Sequence, residues 1–245
     1  MIKLEHIVEP SFDQMVFVVE GMRNPMNSWD KDDCGLDYDY MSEEDIFILG
    51  RKNKTLMKKL AKAGTDHRKF MRMMPVMVRI TAPLYWWKEF DTYKVGTVAN
   101  SCSTMHKITE KEFTILDFSE DKLMNGISHT DDVFDENGND ITMAPNELLG
   151  YTICHLNIYR KLYLETKAKK YWWQLIQLLP SSYNQTRNVM LNYEVLYNMY
   201  HARKNHKLDE WREFCKWIET LEFSFLITGE DILKEGLQEC LQPGA

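Results

Sequence analysis

The sequence predicts an α+β protein in which helices dominate and a few strands complete the fold. Three observations carry this. The chain has 245 residues, of which 44% are hydrophobic and 12% aromatic, enough for a substantial core. Several stretches place apolar residues at helical spacing; in Asp209–Leu221 the residues Trp211, Phe214, Cys215 and Ile218 share one face. One stretch alternates instead, with Val76, Val78, Ile80 and Ala82 on one side and Met77, Arg79 and Thr81 on the other, the pattern of a half-buried strand.

In chain order, Gln14–Val19 is a short apolar run suited to a strand, and Asn24–Tyr40, rich in Asp, Asn, Gly and Pro, is expected as a surface excursion. Ser42-Glu43-Glu44-Asp45 has the form of a capping box opening a helix. Lys52–Lys62 carries many lysines and is expected as a solvated helix face. After the Val76–Ala82 strand, Pro83 suits the start of a helix through Leu84–Tyr93, and the polar segment Lys94–His106 follows, a natural place for a site. Asp117–Asn146 is acidic and turn-rich, with Asn137-Gly138-Asn139-Asp140 as its clearest turn. Helices are expected over Glu147–Thr166 and Tyr171–Leu179, ending at Pro180. In Thr186–Arg203 an apolar stripe from Val189 to Tyr200 predicts one more helix; at about 100° per residue Asn192 and Arg203 fall about 20° apart on its edge. With no internal repeat or low-complexity linker, residues 1–245 are expected as one domain with insertions at 24–40 and 117–146.

Charge and cysteine content narrow the classes. A formal charge of −7 argues against a protein that mainly coats nucleic acid, while leaving room for a local basic pocket. No apolar run approaches the roughly 18–20 residues needed to span a bilayer, and Met1–Glu9 lacks the form of a signal peptide. Five cysteines without CxxC spacing predict neither a disulfide framework nor a zinc site, so a reducing, cytoplasmic setting is expected. There is no glycine-rich phosphate loop, GxSxG or HExxH, and the seven histidines are scattered.

Two segments carry a resemblance. The first is Ala82-Pro83-Leu84-Tyr85-Trp86-Trp87-Lys88-Glu89-Phe90, then Thr92-Tyr93-Lys94, then Asn100-x-x-Ser103-x-Met105-His106. It resembles the flavin-dependent thymidylate synthases, where Ala-Pro and an apolar run lead to Arg-Gln-Trp, Arg-His-Arg and Asn-x-x-Ser-x-Arg-Tyr, if one extra residue is allowed between Thr97 and Asn100. The second is Leu179-Pro180, Tyr183, Thr186-Arg187, Asn192, Glu194, Asn198, Arg203, His206 and Trp211; the offsets of six and eleven from Asn192 to Asn198 and Arg203 match that family without a gap. Gly64–Phe70 resembles the run before the family's strand, so the likeness covers roughly residues 60–225.

The resemblance implies the family's helix-rich α+β fold with a small mixed or antiparallel sheet, a homotetramer, and reductive methylation of deoxyuridylate. FAD is the implied cofactor, with NADPH and methylenetetrahydrofolate as co-substrates and a pyrimidine nucleotide as ligand. On matching positions Arg203 would contact the pyrimidine and favour its ionised form. Ser103 and Thr104 would lie at the phosphate, with Glu89, Thr92 and His106 also on the substrate side. Arg79, Tyr93, Lys94, Asn100, Asn192 and Asn198 would face the flavin. Four arginines of the family pattern are replaced by Thr92, Lys94, Met105 and Glu194, and its glutamine by Glu89. Lysine replaces the charge of an arginine but not its fork, and Met105 cannot bind phosphate; His106 and Lys107 could supply cations one residue later. Structural roles stand beside these: Ser103 and Asn100 as loop caps, Tyr93 as core, and Arg203 as a cation at a helix C-terminus. The alternative function is a non-catalytic homologue that binds a nucleotide or a partner.

Overall fold

The computed structural model describes residues 2–40, 44–125 and 143–230. In order these form β1 (Lys3–Val8), α1 (Phe12–Arg23), β2 (Gly35–Asp39), β3 (Glu44–Ile48), α2 (Arg51–Lys62), β4 (Pro75–Pro83), α3 (Leu84–Phe90), β5 (Val98–Ser101), α4 (Thr104–Lys107), α5 (Pro145–Thr166), α6 (Lys169–Leu178), β6 (Asn184–Asn192), α7 (Tyr193–Arg203), α8 (Asp209–Glu219) and α9 (Phe225–Thr228). Strands β1, β4, β6 and β5 form one sheet in that order, and β2 pairs antiparallel with β3. No helix of the described residues is long and apolar enough to cross a membrane.

The chain divides into two compact units. One comprises Met1–Leu4, Arg79–Thr92 and Asn100–Asn188; the other comprises Glu5–Val78, Tyr93–Ala99 and Val189–Ala245. In the first, helices α5 and α6 pack together and bury Leu149, Leu156 and Leu175 with Ile108, Phe113 and Phe118. Asn157 on α5 satisfies both backbone groups of Phe113, at 2.8 and 2.9 Å, and Arg160 donates to the Thr109 carbonyl at 2.9 Å, so α5 fixes the segment that follows α4. The start of α3 is secured in the same unit: its otherwise orphaned Leu84 and Tyr85 N–H groups donate to the carbonyls of Tyr183 and Ser181, both at 3.0 Å. Trp86, Trp87 and Phe90 are buried.

In the second unit α7 packs against α8, α9 and the turn Lys69–Met73. Trp211, Phe214, Cys215 and Ile218 of α8 are all buried, as their spacing predicts. Arg23 and Asn53 are both buried and hold the 24–40 excursion. Arg23 Nε donates to Asn53 Oδ1 at 2.7 Å and its guanidinium to the Ser28 carbonyl at 3.1 Å. The N-terminus of α2 follows Gly50, which has no side chain to cap it; the Asp33 carboxylate accepts from the Lys52 and Asn53 N–H groups instead, at 2.7 and 3.0 Å.

Four expectations are corrected. Gln14–Val19 lies in helix α1, because Ser11 and Gln14 form a reciprocal capping box and Met15, Val18, Val19 and Met22 recur at helical spacing as its buried face. Ser42–Asp45 does not open a helix: Glu44 and Asp45 begin β3, where pairing with β2 takes precedence, while Ser42 and Glu43 lie outside the described residues. The 24–40 excursion is not all loop, since it contains β2 and two turns of 3-10 helix. Finally, Thr186–Arg203 is not one helix. Residues 184–192 form β6, with Gln185, Val189 and Leu191 buried at even spacings, and the helix begins only after Asn192. The Asn137–Asp140 turn lies outside the described residues.

Candidate functional site

The residues singled out by the sequence fall into two sets, one in each unit. In the unit holding Tyr93–Ala99 and Val189–Ala245, Arg203 is the last residue of α7. Its Nε donates to the Tyr93 hydroxyl at 2.9 Å. The guanidinium lies 4.9 Å from the ring centre of buried Trp211 and 5.6 Å from that of Tyr93, and the two rings meet edge to face at 6.0 Å. A cation so placed is oriented by a hydrogen bond from its Nε and by two aromatic rings. His206 adds a ring at 6.4 Å from Trp211.

Asn192 is the N-cap of α7, its Oδ1 accepting from the Val195 N–H at 2.9 Å. The amide end packs on Gly96, which has φ +83°, and a Cβ there would collide with the Asn192 side chain. The Thr97 hydroxyl donates to the Tyr93 carbonyl at 2.6 Å and closes the same turn. Asn192 therefore does not share a helical edge with Arg203; it caps the helix that carries it. Lys94 and Asn198 are exposed.

Glu194, in place of a family arginine, is buried in the first turn of α7 and pairs with Arg72 and, at 3.6 Å, with Arg68. Arg68 in turn lies 4.0 Å from the ring centre of Tyr197. No motif in the sequence points directly to these partners, although Arg68 lies in the Gly64–Phe70 run. A buried carboxylate on a helix demands a cation from elsewhere, and that demand is the signal that could have found them.

The other set belongs to the unit holding Arg79–Thr92 and Asn100–Asn188. The Ser103 hydroxyl caps α4 by accepting from the His106 N–H at 3.1 Å, and Thr104 is that helix's first residue. Both border a cavity of 290 Å³ that also exposes Thr81, Tyr183, Asn184 and Thr186. The Thr81 and Thr186 hydroxyls are 2.7 Å apart, and Asn184 Oδ1 is a buried acceptor with no hydrogen-bond partner among the described residues. Burial, reinforced by Asp117, pushes the Tyr183 hydroxyl above its usual pKa, so at neutral pH it is an uncharged donor. Lys111 lines the same cavity but pairs with Asp117. Burial opposes ionisation of that carboxylate, yet hydrogen bonds from Lys111 and Thr114 hold it below its usual value. The cavity is thus rich in neutral donors, with its one lining lysine already paired.

His106 faces a second cavity of 580 Å³, whereas Lys107 is exposed and pairs with Glu110 on the surface. Thr92 is exposed and its hydroxyl donates to the Glu89 carbonyl at 2.7 Å, terminating α3. Glu89 is half-buried on that helix, Asn100 is exposed on β5, and Arg79 Nε reaches Asn188 Oδ1 at 3.4 Å. Arg187 is held from three sides: it donates to Gln185 at 2.9 Å and to Asp91 at 2.7 Å, and stacks 4.1 Å from the Trp87 ring centre.

The fold is that of the flavin-dependent thymidylate synthases. Among solved structures the chain is similar to the flavin-dependent thymidylate synthase ThyX from Helicobacter pylori complexed with FAD and dUMP, with 15% identity and a TM-score of 0.60 over 93% of this chain and 98% of that one. It is also similar to a UMP/dUMP methylase, PolB from Streptomyces cacaoi, bound with 5-Br dUMP, with 14% identity and a TM-score of 0.54 over 90% of this chain and 89% of that one. No protein-family model and no curated protein matches the chain.

Proposed function

We propose that the protein binds a pyrimidine nucleotide and a flavin and carries out a reductive methylation of the thymidylate synthase type. The substrate would be deoxyuridylate, with methylenetetrahydrofolate as carbon donor and NADPH as reductant, or a divergent pyrimidine nucleotide on the same scaffold. The observation that carries this reading is the likeness over 93% of the chain to a synthase that holds FAD and dUMP. The Arg203 cradle supports it. A guanidinium aimed by Tyr93 and Trp211 can bind the polar edge of a pyrimidine and favour its ionised form, the role the resemblance gives it.

The donor set fits a flavin in kind. Tyr93, Lys94 and Asn198 offer a phenol, a cation and an amide, the chemistry needed along a flavin's polar edge and phosphates, while Asn192 holds the Gly96 turn beside them. A bound reduced flavin would supply hydride; the protein's part is to hold it and to keep Arg203 oriented. On the nucleotide side, Ser103, Thr104, Thr81 and Thr186 supply hydroxyl donors, and the Asn184 carbonyl oxygen supplies an acceptor that still lacks a partner. Assembly as a homotetramer is part of the proposal, and an apolar stripe on α5 supports self-association: Leu148, Tyr151 and Ile158 lie on one face and are 59%, 59% and 52% exposed. So is a reducing, cytoplasmic setting, in keeping with the free cysteines Cys34, Cys102, Cys154 and Cys215.

NADPH oxidation measured with FAD, in the presence and absence of deoxyuridylate, tests the reading. Oxidation that depends on deoxyuridylate, and falls on the order of 100-fold in Arg203→Met, is the expected result. A second reading, a binding protein that has lost turnover, is favoured by one observation: Glu194 stands where the family pattern has an arginine and pairs with Arg68 and Arg72. Retention of FAD and deoxyuridylate without NADPH oxidation would select it.

A further inference from the structure

The family pattern's arginines are missing at Thr92, Met105 and Glu194, and Lys111 is paired with Asp117. A nucleotide phosphate still needs positive charge. Within the unit that holds Ser103 and Thr104, cations gather in the 580 Å³ cavity bordered by Met105, His106, Tyr163, Lys167, Lys169 and Trp172, with Thr109 completing the wall. Its volume is in the range that encloses a small ligand, and none of its described lining residues is a carboxylate.

The placement of these groups follows from the chain. Lys167 ends α5 in the left-handed conformation, φ 55°, and Lys169 opens α6 two residues later, so a single tight turn presents both ammonium groups. Lys169 and Lys170 occupy the first turn of α6, which contains no acidic residue. Positive charge at that end of a helix is unfavourable by itself, and an anion beside it relieves the repulsion. The aromatic walls are fixed as well: Trp172 is half-buried, and its Nε1 donates to the Met105 carbonyl at 3.2 Å, tying α6 to the helix that carries His106. Met105, the position where an arginine is lost, therefore lies on the wall of the cavity into which Lys167 and Lys169 bring charge.

We propose that this cavity is where the nucleotide's phosphate is recognised, with Lys167 and Lys169 as the phosphate-binding cations, His106 as a further donor, and Trp172 and Tyr163 as the aromatic walls that position them. The inference rests on the reading of the protein as a pyrimidine-nucleotide binder. Two ammonium groups on flexible stems, exposed to solvent, recognise charge without the fixed fork of an arginine, so binding of the phosphate is strongly sensitive to salt.

Titration calorimetry with deoxyuridylate and with deoxyuridine, on the full chain and on the double variant Lys167→Asn/Lys169→Gln, tests this. Both side chains are exposed, and Asn suits the left-handed backbone at 167. The expected result is a loss of about ten-fold or more in deoxyuridylate affinity, with deoxyuridine affinity unchanged and the salt dependence of deoxyuridylate binding flattened. If the full chain binds both ligands and the variant binds deoxyuridylate as tightly, or loses both ligands equally, the assignment of the phosphate to this cavity is overturned while the nucleotide reading stands. If the full chain binds neither ligand, the nucleotide reading falls and the assignment falls with it.

Discussion

The N-terminal half of α7 and the cavity beside α4 treat charge in opposite ways. Around α7 the charged and polar groups are consumed by the fold: Glu194 pairs with Arg68 and Arg72, and Asn192 caps the helix and packs on Gly96. In the cavity, His106, Lys167 and Lys169 are exposed and line open space, and Trp172 shows part of its ring to it. A residue that matches a functional motif can therefore be serving the fold, while a residue outside every motif can be facing a ligand. Arg203 stands between these cases: it is half-buried, and Tyr93 and Trp211 orient it.

If that contrast is right, substitutions around α7 cost stability and substitutions at the cavity cost binding. The largest stability loss is expected for Glu194→Ala, which leaves buried Arg68 without its counter-charge; about 3 kcal/mol should be lost in urea unfolding. A loss below about 0.5 kcal/mol would show this pair to be no more than a surface bridge. Gly96→Ala comes next, because its positive φ and the Asn192 contact both oppose a Cβ; about 2 kcal/mol is expected by the same measurement. Asn192→Ala should cost about 1 kcal/mol through loss of the cap. Ser103→Ala caps only a helix of four residues on the surface, so unfolding should shift by about 0.5 kcal/mol or less. A larger shift would place Ser103, which borders the 290 Å³ cavity, with the structural residues.

Acid sharpens the comparison further. The Asp117 carboxyl is held below its ordinary pKa, so its stabilising contribution is complete above the unfolded value of about 4 and is lost as pH falls through the lower folded value. Unfolding midpoints of the native chain should thus drop more steeply below about pH 4 than those of Asp117→Asn. Parallel curves would remove the Lys111–Asp117 pair from the account of the separate 290 Å³ cavity that Ser103 and Thr104 border.

Much of the fold was legible because burial follows chemistry. The alternation in Val76–Ala82 and the stripe on α8 predicted their elements, since each has one buried and one solvated face. The segment Thr186–Arg203 misled because its apolar residues satisfy two periods at once: Val189 and Leu191 alternate into the core as a strand, and Val195, Leu196 and Met199 continue as a helix. The residue that separates them, Asn192, is a cap signal that the motif match concealed. At the site, the family resemblance singles out Arg203 for the pyrimidine and Tyr93 for the flavin, separately; their hydrogen bond to each other and the contact of Arg203 with Trp211 are tertiary. The Lys167–Lys169 cavity was not legible at all, because a turn between two helices joins α4 only through packing.

The most direct test of the central reading is the visible spectrum of the purified chain, before and after adding FAD, with mass spectrometry of whatever copurifies. The reading predicts flavin absorbance that stays with the protein on desalting, and FAD released on denaturation. Protein that is colourless as purified and emerges without flavin after incubation with FAD would contradict it.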